Sequence, residues 1–271
     1  YFINISLAFL DEKISQIHDF PNTSDCFPGV NIRGGICYFL YDFNHKGLCK
    51  IFNYINSKQV SMLERPLKET GIEIFIRYNE AINILHKVKY FNEQTYRGIV
   101  SSRKPFGIES NFSKFVLSES KTHNIKLYKV GGVGFIEEKD VVSKKELIDK
   151  IKVIVSKASP GDDTYPHKII SEPIIALPKS VCTETYLVID ILENENQAKN
   201  LIKYMKTNFF RFMMSLVKNT QNITKGVFVF VPKLNMDEEW TDEKLYKKYK
   251  LKQDEIDFIA TIVKKMDSSD E

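Results

Sequence analysis

A window without acidic side chains is the part of this sequence best suited to contact a polyanion. Residues 196–236 contain no Asp or Glu, although the 271-residue chain has 39 basic and 35 acidic residues. The basic residues of the window are Lys199, Lys203, Lys206, Arg211, Lys218, Lys225 and Lys233. Lys and Arg neutralise phosphates, and Asn, Gln and Thr hydrogen-bond to bases or to the sugar–phosphate backbone. The window therefore fits a nucleic-acid contact, and it equally fits the solvated basic face of a core helix.

The apolar pattern of the same window predicts the elements that carry these residues. Apolar side chains recur at intervals of three and four residues, which is the spacing of one buried helix face. Asn196 is a suitable N-cap, so we expect one amphipathic helix over residues 197–218, about 33 Å long. A polar, amide-rich loop over 219–225 follows. Residues 227–232 are then typical of a short buried strand that ends at a proline.

Motifs that indicate catalysis are missing from the sequence. It has no Gly-x-Ser-x-Gly elbow, no His-Glu-x-x-His motif and no Asn-Pro-Pro-Tyr or Asp-Pro-Pro-Tyr loop for methyl transfer to adenine. The glycine-rich residues 131–135 lack the spacing of a phosphate-binding loop and predict a tight turn. Asp162, Asp163 and His167 resemble a metal cluster, but polar loops carry such groups routinely. Residues 137–139 lack the carboxylate partner that a nuclease needs. We therefore expect no catalytic residue and no metal in this chain.

The composition is that of an ordinary globular protein. Hydrophobic residues make up 43 % and charged residues 27 %, and the net charge of +4 permits nucleic-acid binding without demanding it. Cys26, Cys37, Cys49 and Cys182 form no paired motif and are predicted to be free thiols in the cytoplasm. No apolar run approaches the roughly 18 residues of a membrane span. The chain starts at Tyr1 within an apolar pattern, so we expect it to be a piece of a longer protein.

The order of the predicted elements indicates a mixed α/β (α+β) fold. Strands at residues 14–20 and 36–41 suggest the edge of an α/β sheet, and the second is apolar enough to be buried on both faces. Further strands are predicted at 50–55, 126–130, 151–157 and 181–189, and helices near 80–88 and 144–151. The acidic C-terminal segment predicts one or two amphipathic helices that begin near residues 240–243. Residues 267–271 are predicted to be a disordered tail.

Several ordered blocks of sequence carry a family resemblance. They are Asp19-Phe20 with residues 25–40, residues 103–107 with Asn111-Phe112, and residues 155–160, 182–186, 204–232 and 240–249. Together they resemble the C-terminal half of adenine-specific DNA methyltransferases of restriction–modification systems, of a type IIG-like kind with a TaqI-like specificity domain. The first block is similar to the end of the catalytic domain, the last to the C-terminal end of the family, and the others to its specificity region.

The resemblance implies a division of labour. In the family, an upstream Rossmann-like domain binds S-adenosylmethionine and receives a flipped adenine, while a target recognition domain reads a short sequence of double-stranded DNA. We therefore predict the last strands of the catalytic domain over residues 1–43, a target recognition domain over 44–236, and a helical cap with a tail over 237–271. Because the methyl-transfer motifs are missing here, S-adenosylmethionine is expected in the parent enzyme and not in this chain.

The resemblance favours DNA contact over a merely solvated basic face, and residue type then selects the site. The predicted DNA-binding residues are Arg103, Lys104, Lys157, Lys168, Lys206, Thr207, Arg211, Lys218, Asn219, Gln221, Thr224 and Lys225. Phe209, Phe210 and Phe212 are predicted to be core residues. Two other interpretations stay open. The chain could retain methyl transfer or strand cleavage, or residues 240–266 could dock the catalytic or restriction part of the same system.

Overall fold

The computed structural model describes residues 12–29, 34–158, 168–218 and 222–266 of the chain. Its elements form a mixed α/β fold with several small sheets, in agreement with the predicted class. The strands are β1 (Ile14–Phe20), β2 (Ile36–Tyr41), β3 (Cys49–Ile55), β4 (Lys58–Arg65), β5 (Ile125–Lys129), β6 (Gly132–Ile136), β7 (Ile151–Ser156), β8 (Ile174–Ala176), β9 (Ser180–Cys182) and β10 (Tyr186–Leu192). The helices are α1 (Glu80–Tyr90), α2 (Glu195–Lys206), α3 (Asn208–Ser215), α4 (Asp242–Lys248) and α5 (Gln253–Ile262). The chain divides into two compact units, Tyr1–His86 and Lys87–Glu271.

The first unit is built on a four-stranded sheet with the strand order β2-β1-β3-β4. β1 pairs antiparallel with β2 and parallel with β3, and β3 pairs antiparallel with β4. Ile14, Ile17, Cys49 and Ile51 form the buried cluster on one face of this sheet. The sheet thus combines strands from both sides of residue 43, where the sequence predicts a boundary between domains. The assignment of residues 1–43 to a catalytic domain stays a prediction.

β2 has the predicted bounds but not the predicted surroundings. Tyr38 is 51 % and Leu40 is 53 % exposed, and on the opposite face Phe39 is 36 % and Tyr41 is 38 % exposed. Within the described ranges β2 is an edge strand that pairs with β1 alone. The expectation that this strand is buried on both faces is therefore wrong, because an apolar composition alone does not supply covering layers.

The second unit contains two three-stranded sheets. One has the order β10-β7-β8 and is antiparallel, and the other has the order β6-β5-β9. α2 packs across the first sheet, and side chains of both sheets, such as Leu127 and Ile154, share one buried cluster. The tight turn predicted at residues 131–135 is confirmed only at its start, where Gly131 has a φ angle of 78° in the turn between β5 and β6. The rest of the predicted turn is strand β6, which begins at Gly132.

The long helix predicted over residues 197–218 is two helices. α2 ends at Lys206 and α3 begins at Asn208, and Thr207 between them is extended, with φ −61° and ψ 149°. The Thr207 hydroxyl accepts a hydrogen bond from the Phe210 N–H at 3.1 Å and so caps α3. The apolar spacing continues through the break, so it does not reveal the change of direction. Phe209, Phe210 and Phe212 are fully buried, as predicted.

Other predicted elements change in type or extent. The N-cap of α2 is Asn194 and not Asn196, since its side chain accepts the Gln197 N–H at 2.9 Å. The strand predicted at residues 227–232 is wrong, because Lys225–Phe228 is a 3₁₀ turn.

The regions before and after β7 also differ from their predictions. Only a 3₁₀ turn at Lys145–Leu147 stands where a helix over 144–151 is predicted, and β7 begins directly afterwards at Ile151. The strand predicted over 181–189 is divided into β9 and β10 by a turn at residues 183–185.

The C-terminal segment forms the two helices that the sequence predicts. Thr241 caps α4 by accepting the Lys244 N–H at 3.4 Å. Both α4 and α5 pack against α3, and Leu245, Tyr249 and Ile259 are fully buried. The apolar side of these helices is therefore used inside the second unit. The predicted tail lies outside the described residues.

Candidate nucleic-acid interface

The end of β7 is where several of the predicted site residues meet. The Lys157 N–H donates to the Thr185 carbonyl at 2.7 Å, and the Lys157 carbonyl accepts the Ile223 N–H at 2.8 Å. The next residue, Ala158, pairs with Asn222 in an isolated antiparallel bridge. Lys157 therefore lies between the turn that precedes β10 and residues 222–223. Backbone hydrogen bonds alone bring these three chain segments together.

The last residue of α2 reaches the same region through an ion pair. Lys206 Nζ contacts Glu172 Oε1, and the side chains are 12 % and 45 % exposed, respectively. Ser171, next to Glu172, donates its hydroxyl to the Ala158 carbonyl at 2.8 Å. Lys168 lies three residues earlier in this segment and is exposed. Two further predicted cations therefore lie near the end of β7, one held by a carboxylate and one exposed to solvent.

Arg103 reaches the region from another direction and is held in place. Its Nε donates to Glu184 Oε2 at 2.7 Å, while 68 % of its side chain is exposed. Glu184 is only 8 % exposed, and its second oxygen accepts the Ser110 N–H at 3.3 Å and the Ser110 hydroxyl at 3.2 Å. Arg103 above all, together with Ser110, lowers the pKa of the Glu184 carboxyl to about 2. A fixed, charged acceptor therefore orients the Arg103 guanidinium.

The remaining exposed candidates flank these contacts. Thr224 and Lys225 are exposed and follow the bridge residue Asn222 closely along the chain. Thr224 precedes the 3₁₀ turn without a side-chain hydrogen bond to it. Lys104 Nζ contacts Glu109 Oε1, and Lys218 is partly buried at the end of its described range. We define the β7-end surface as Arg103, Lys157, Lys168, Lys206, Thr224 and Lys225. Asn219 and Gln221 lie outside the described residues.

Arg211 does not belong to this surface, which corrects its predicted role. It is fully buried, and its Nε donates to the Thr207 carbonyl at 3.2 Å. Its Nη2 donates to the Lys206 carbonyl at 3.0 Å and to Asn208 Oδ1 at 2.8 Å, and its Nη1 donates to the Lys264 carbonyl. Burial lowers the pKa of the guanidinium to about 10. All three nitrogens serve the protein's own carbonyls, so this side chain is not available to DNA.

Thr207 is likewise a structural residue rather than an exposed contact. It is 7 % exposed, and its hydroxyl donates to the Tyr204 carbonyl at 2.7 Å while it accepts the Phe210 N–H. Asp242 completes the cap, because its carboxylate accepts the N–H groups of Asn208 and Phe209, each at 2.9 Å. The helix junction therefore satisfies its own polar groups. The predicted role of Thr207 in DNA contact is corrected for the same reason as that of Arg211.

Two residues that hold Arg103 are not among the sequence predictions. Glu184 and Ser110 accept and donate the hydrogen bonds that orient this part of the surface. A carboxylate is not selected as a DNA contact by residue type, and a lone serine carries no distinctive spacing. The signal that points to Glu184 is its position at the centre of residues 182–186, one of the blocks that carry the family resemblance.

Other classes of site find no support in the described ranges. There, no group of three or more His, Cys, Asp or Glu side chains could hold a metal ion. Cys26, Cys37, Cys49 and Cys182 are free thiols, as predicted. In those same ranges no helix is both long and apolar enough to cross a membrane. The predicted cluster of acidic residues beside His167 lies outside the described residues.

Comparison with known proteins gives little further information. No family model matches the chain, and no curated protein matches it. Among solved structures, the type IIG restriction endonuclease BpuSI is similar with a TM-score of 0.35 and 9 % sequence identity. The match covers 94 % of this chain and 39 % of that one. At this TM-score and identity, the likeness supports no conclusion about the function of this chain.

Proposed function

We propose that the second unit binds double-stranded DNA through the β7-end surface, as the target recognition part of a restriction–modification methyltransferase. The observation that carries the proposal is the convergence at the end of β7. Backbone hydrogen bonds, the Ser171 hydroxyl and ion pairs link separate segments of the chain there. The basic residues that these segments bring are Arg103, Lys157, Lys168, Lys206 and Lys225. Cations held on a common frame are what binding to a phosphate backbone needs.

The residues of the surface differ in the contacts they can make. Lys157, Lys168 and Lys225 form no ion pair within the described ranges, and we assign them to phosphates, with Thr224 as a hydrogen-bonding neighbour. Lys206 is already paired with Glu172, so its charge is partly compensated. These three lysines are therefore assigned to supply affinity for DNA, whereas the ion pair fixes the position of the Lys206 side chain.

The role in methylation rests on the sequence resemblance. In the proposal, an upstream catalytic domain binds S-adenosylmethionine and transfers the methyl group to adenine, and this chain supplies the DNA sequence preference. The partners of the chain are then double-stranded DNA and the catalytic or restriction part of the same system. The alternative, in which the C-terminal helices dock a partner through their apolar side, has less support because that side packs against α3.

The test is equilibrium binding of the chain to a random-sequence duplex library by fluorescence anisotropy at two salt concentrations, followed by sequencing of the bound fraction. We expect binding that weakens steeply with salt and an enriched short sequence. Lys157→Ala and Lys225→Ala should weaken binding to all duplexes and should each reduce the salt slope by about 1.

Lys199→Ala is the matched control, because Lys199 is an exposed lysine of the same acid-free window on the first half of α2. It should leave affinity and salt slope nearly unchanged. Equal losses in all three variants would contradict the assignment of the β7-end surface, and absence of binding at low salt would overturn the proposed function.

A further inference from the structure

The guanidinium of Arg103 has one occupied edge and one open edge. Its Nε is used by Glu184 at 2.7 Å. In the part of the chain that the structure describes, Nη1 and Nη2 have no hydrogen-bond partner, and the side chain is 68 % exposed. The planar group therefore points two parallel N–H donors away from the carboxylate that holds it. An exposed arginine is usually free to sample many rotamers, and this one is restrained at its base.

The contacts of Glu184 indicate that Arg103 is held in a fixed orientation and does not serve mainly as a positive charge. It is 8 % exposed and accepts two hydrogen bonds from Ser110 in addition to the one from Arg103. The ion pair has no net charge, so it contributes little to neutralising phosphates. Base recognition depends on directed hydrogen bonds, and a fixed donor pair is suited to that task.

The chemistry of the open edge selects one base. Two parallel N–H donors match two adjacent acceptors, and in the major groove guanine presents O6 and N7 in that arrangement. Adenine offers one acceptor beside a donor, cytosine offers a donor, and thymine offers one acceptor beside a methyl group. Only guanine therefore satisfies both terminal nitrogens of Arg103.

We propose that Arg103 is a specificity-determining residue that reads a guanine in the DNA major groove, with Glu184 and Ser110 as its positioning residues. This inference rests on the proposed function of the β7-end surface. It assigns base reading to Arg103 and leaves Lys157, Lys168 and Lys225 to the phosphates.

The first experiment pairs Arg103→Lys with a change in the base. Arg103→Lys keeps the charge and loses the planar donor pair, so a phosphate contact would survive it. The duplex carries the sequence that the wild-type chain enriches, with each guanine in turn replaced by 7-deazaguanine, which lacks the N7 acceptor. At one position we expect 7-deazaguanine to weaken wild-type binding roughly tenfold and to leave Arg103→Lys binding unchanged. Equal effects on both proteins at every position would overturn the inference.

The second experiment separates orientation from charge. Glu184→Gln removes a negative charge and weakens the hold on Arg103. Glu109→Gln removes another negative charge near Arg103, the carboxylate that pairs with Lys104, and leaves the hydrogen bond between Arg103 and Glu184 in place. We expect Glu184→Gln to reduce the guanine preference at the position that Arg103 reads, while Glu109→Gln retains it. If Glu184→Gln raises affinity for all duplexes and keeps the preference, Arg103 is a phosphate contact and the inference fails.

The outcomes distinguish this inference from the proposed function. A wild-type chain that enriches a sequence which Arg103→Lys enriches equally overturns the role of Arg103 and leaves DNA recognition standing. A wild-type chain that binds no duplex at low salt overturns both. Because Arg103 is largely exposed, its lysine variant should retain the wild-type thermal transition, which checks that the fold is intact.

Discussion

The helix junction at residues 206–211 and the β7-end surface use the same kind of side chain in opposite ways. At the junction, Arg211 is fully buried and donates to carbonyls and an amide oxygen of the protein itself. At the surface, Arg103 uses one nitrogen for Glu184 and leaves the rest exposed. A basic residue in an acid-free window is therefore not a DNA contact by composition alone. The role of such a basic side chain depends on whether nearby backbone carbonyls have no other hydrogen-bond donor and so take up its N–H groups.

The largest expected effect is on the junction. Arg211→Met should lower the free energy of unfolding of the second unit by about 3–5 kcal/mol, because it leaves buried carbonyls without donors. Arg103→Met should cost less, about 1 kcal/mol, because Arg103 is largely exposed and Ser110 still donates to the Glu184 carboxylate. Urea denaturation followed by the fluorescence of Trp240, the one tryptophan of the chain, measures both. Similar losses of unfolding free energy in the two variants would contradict the proposed difference between the junction and the surface.

A pH experiment tests a second buried cation, Lys152, at the start of β7. Lys152 is fully buried and donates to the carbonyls of Leu147, Ile148 and Lys150 at 2.9, 3.2 and 2.6 Å. Burial lowers its pKa to about 8. Between that value and the ordinary lysine pKa of about 10.4, the unfolded chain binds more protons than the folded chain, so stability rises with pH in this window.

The wild-type chain should therefore gain on the order of 2 kcal/mol relative to Lys152→Met between pH 8 and pH 10.5. Denaturation midpoints of the wild type and of Lys152→Met at a series of pH values give this difference. A flat difference would mean that the buried lysine keeps its ordinary pKa.

The smallest expected effect concerns two threonines in cap positions. Thr207 makes the capping hydrogen bond of α3, whereas Thr224 precedes a 3₁₀ turn without one. Thr207→Ala should cost about 1 kcal/mol of stability, and Thr224→Ala should stay within about 0.5 kcal/mol. Thermal unfolding of the two variants is sufficient to rank them. A reversed order would show that Thr224 has a structural role of its own.

The sequence predicts best where one local pattern is enough. The bounds of β3, β5 and α1 follow from periodicity to within a few residues. The break at Thr207 is invisible to this method, because the apolar spacing of α2 continues into α3. Likewise, Val-Phe-Val-Phe-Val after Gly226 has strand-forming residues but folds as a turn and a loop against other parts of the unit. At these residues tertiary packing overrides the local propensity for a β-strand.

The candidate site was predictable in residue type but not in arrangement. The basic residues of the surface are recognisable from charge, whereas one of the four acceptors that occupy Arg211 is the Lys264 carbonyl, 53 residues away along the chain. The orientation of Arg103 depends on Glu184, 81 residues away. No spacing in the sequence encodes such pairs. Only the folded chain distinguishes an arginine that its own backbone uses from one that is presented to solvent.

The contacts at the end of β7 run through the backbone. Ala158 bridges to Asn222, and Lys157 forms backbone hydrogen bonds with Thr185 and Ile223. Backbone N–H and carbonyl groups are the same for every residue other than proline, so these contacts do not require a particular side chain at residue 157. Under the proposed function, a lineage can exchange the side chains at exposed positions such as Thr224 and Lys225 and acquire a new recognition sequence without refashioning its fold.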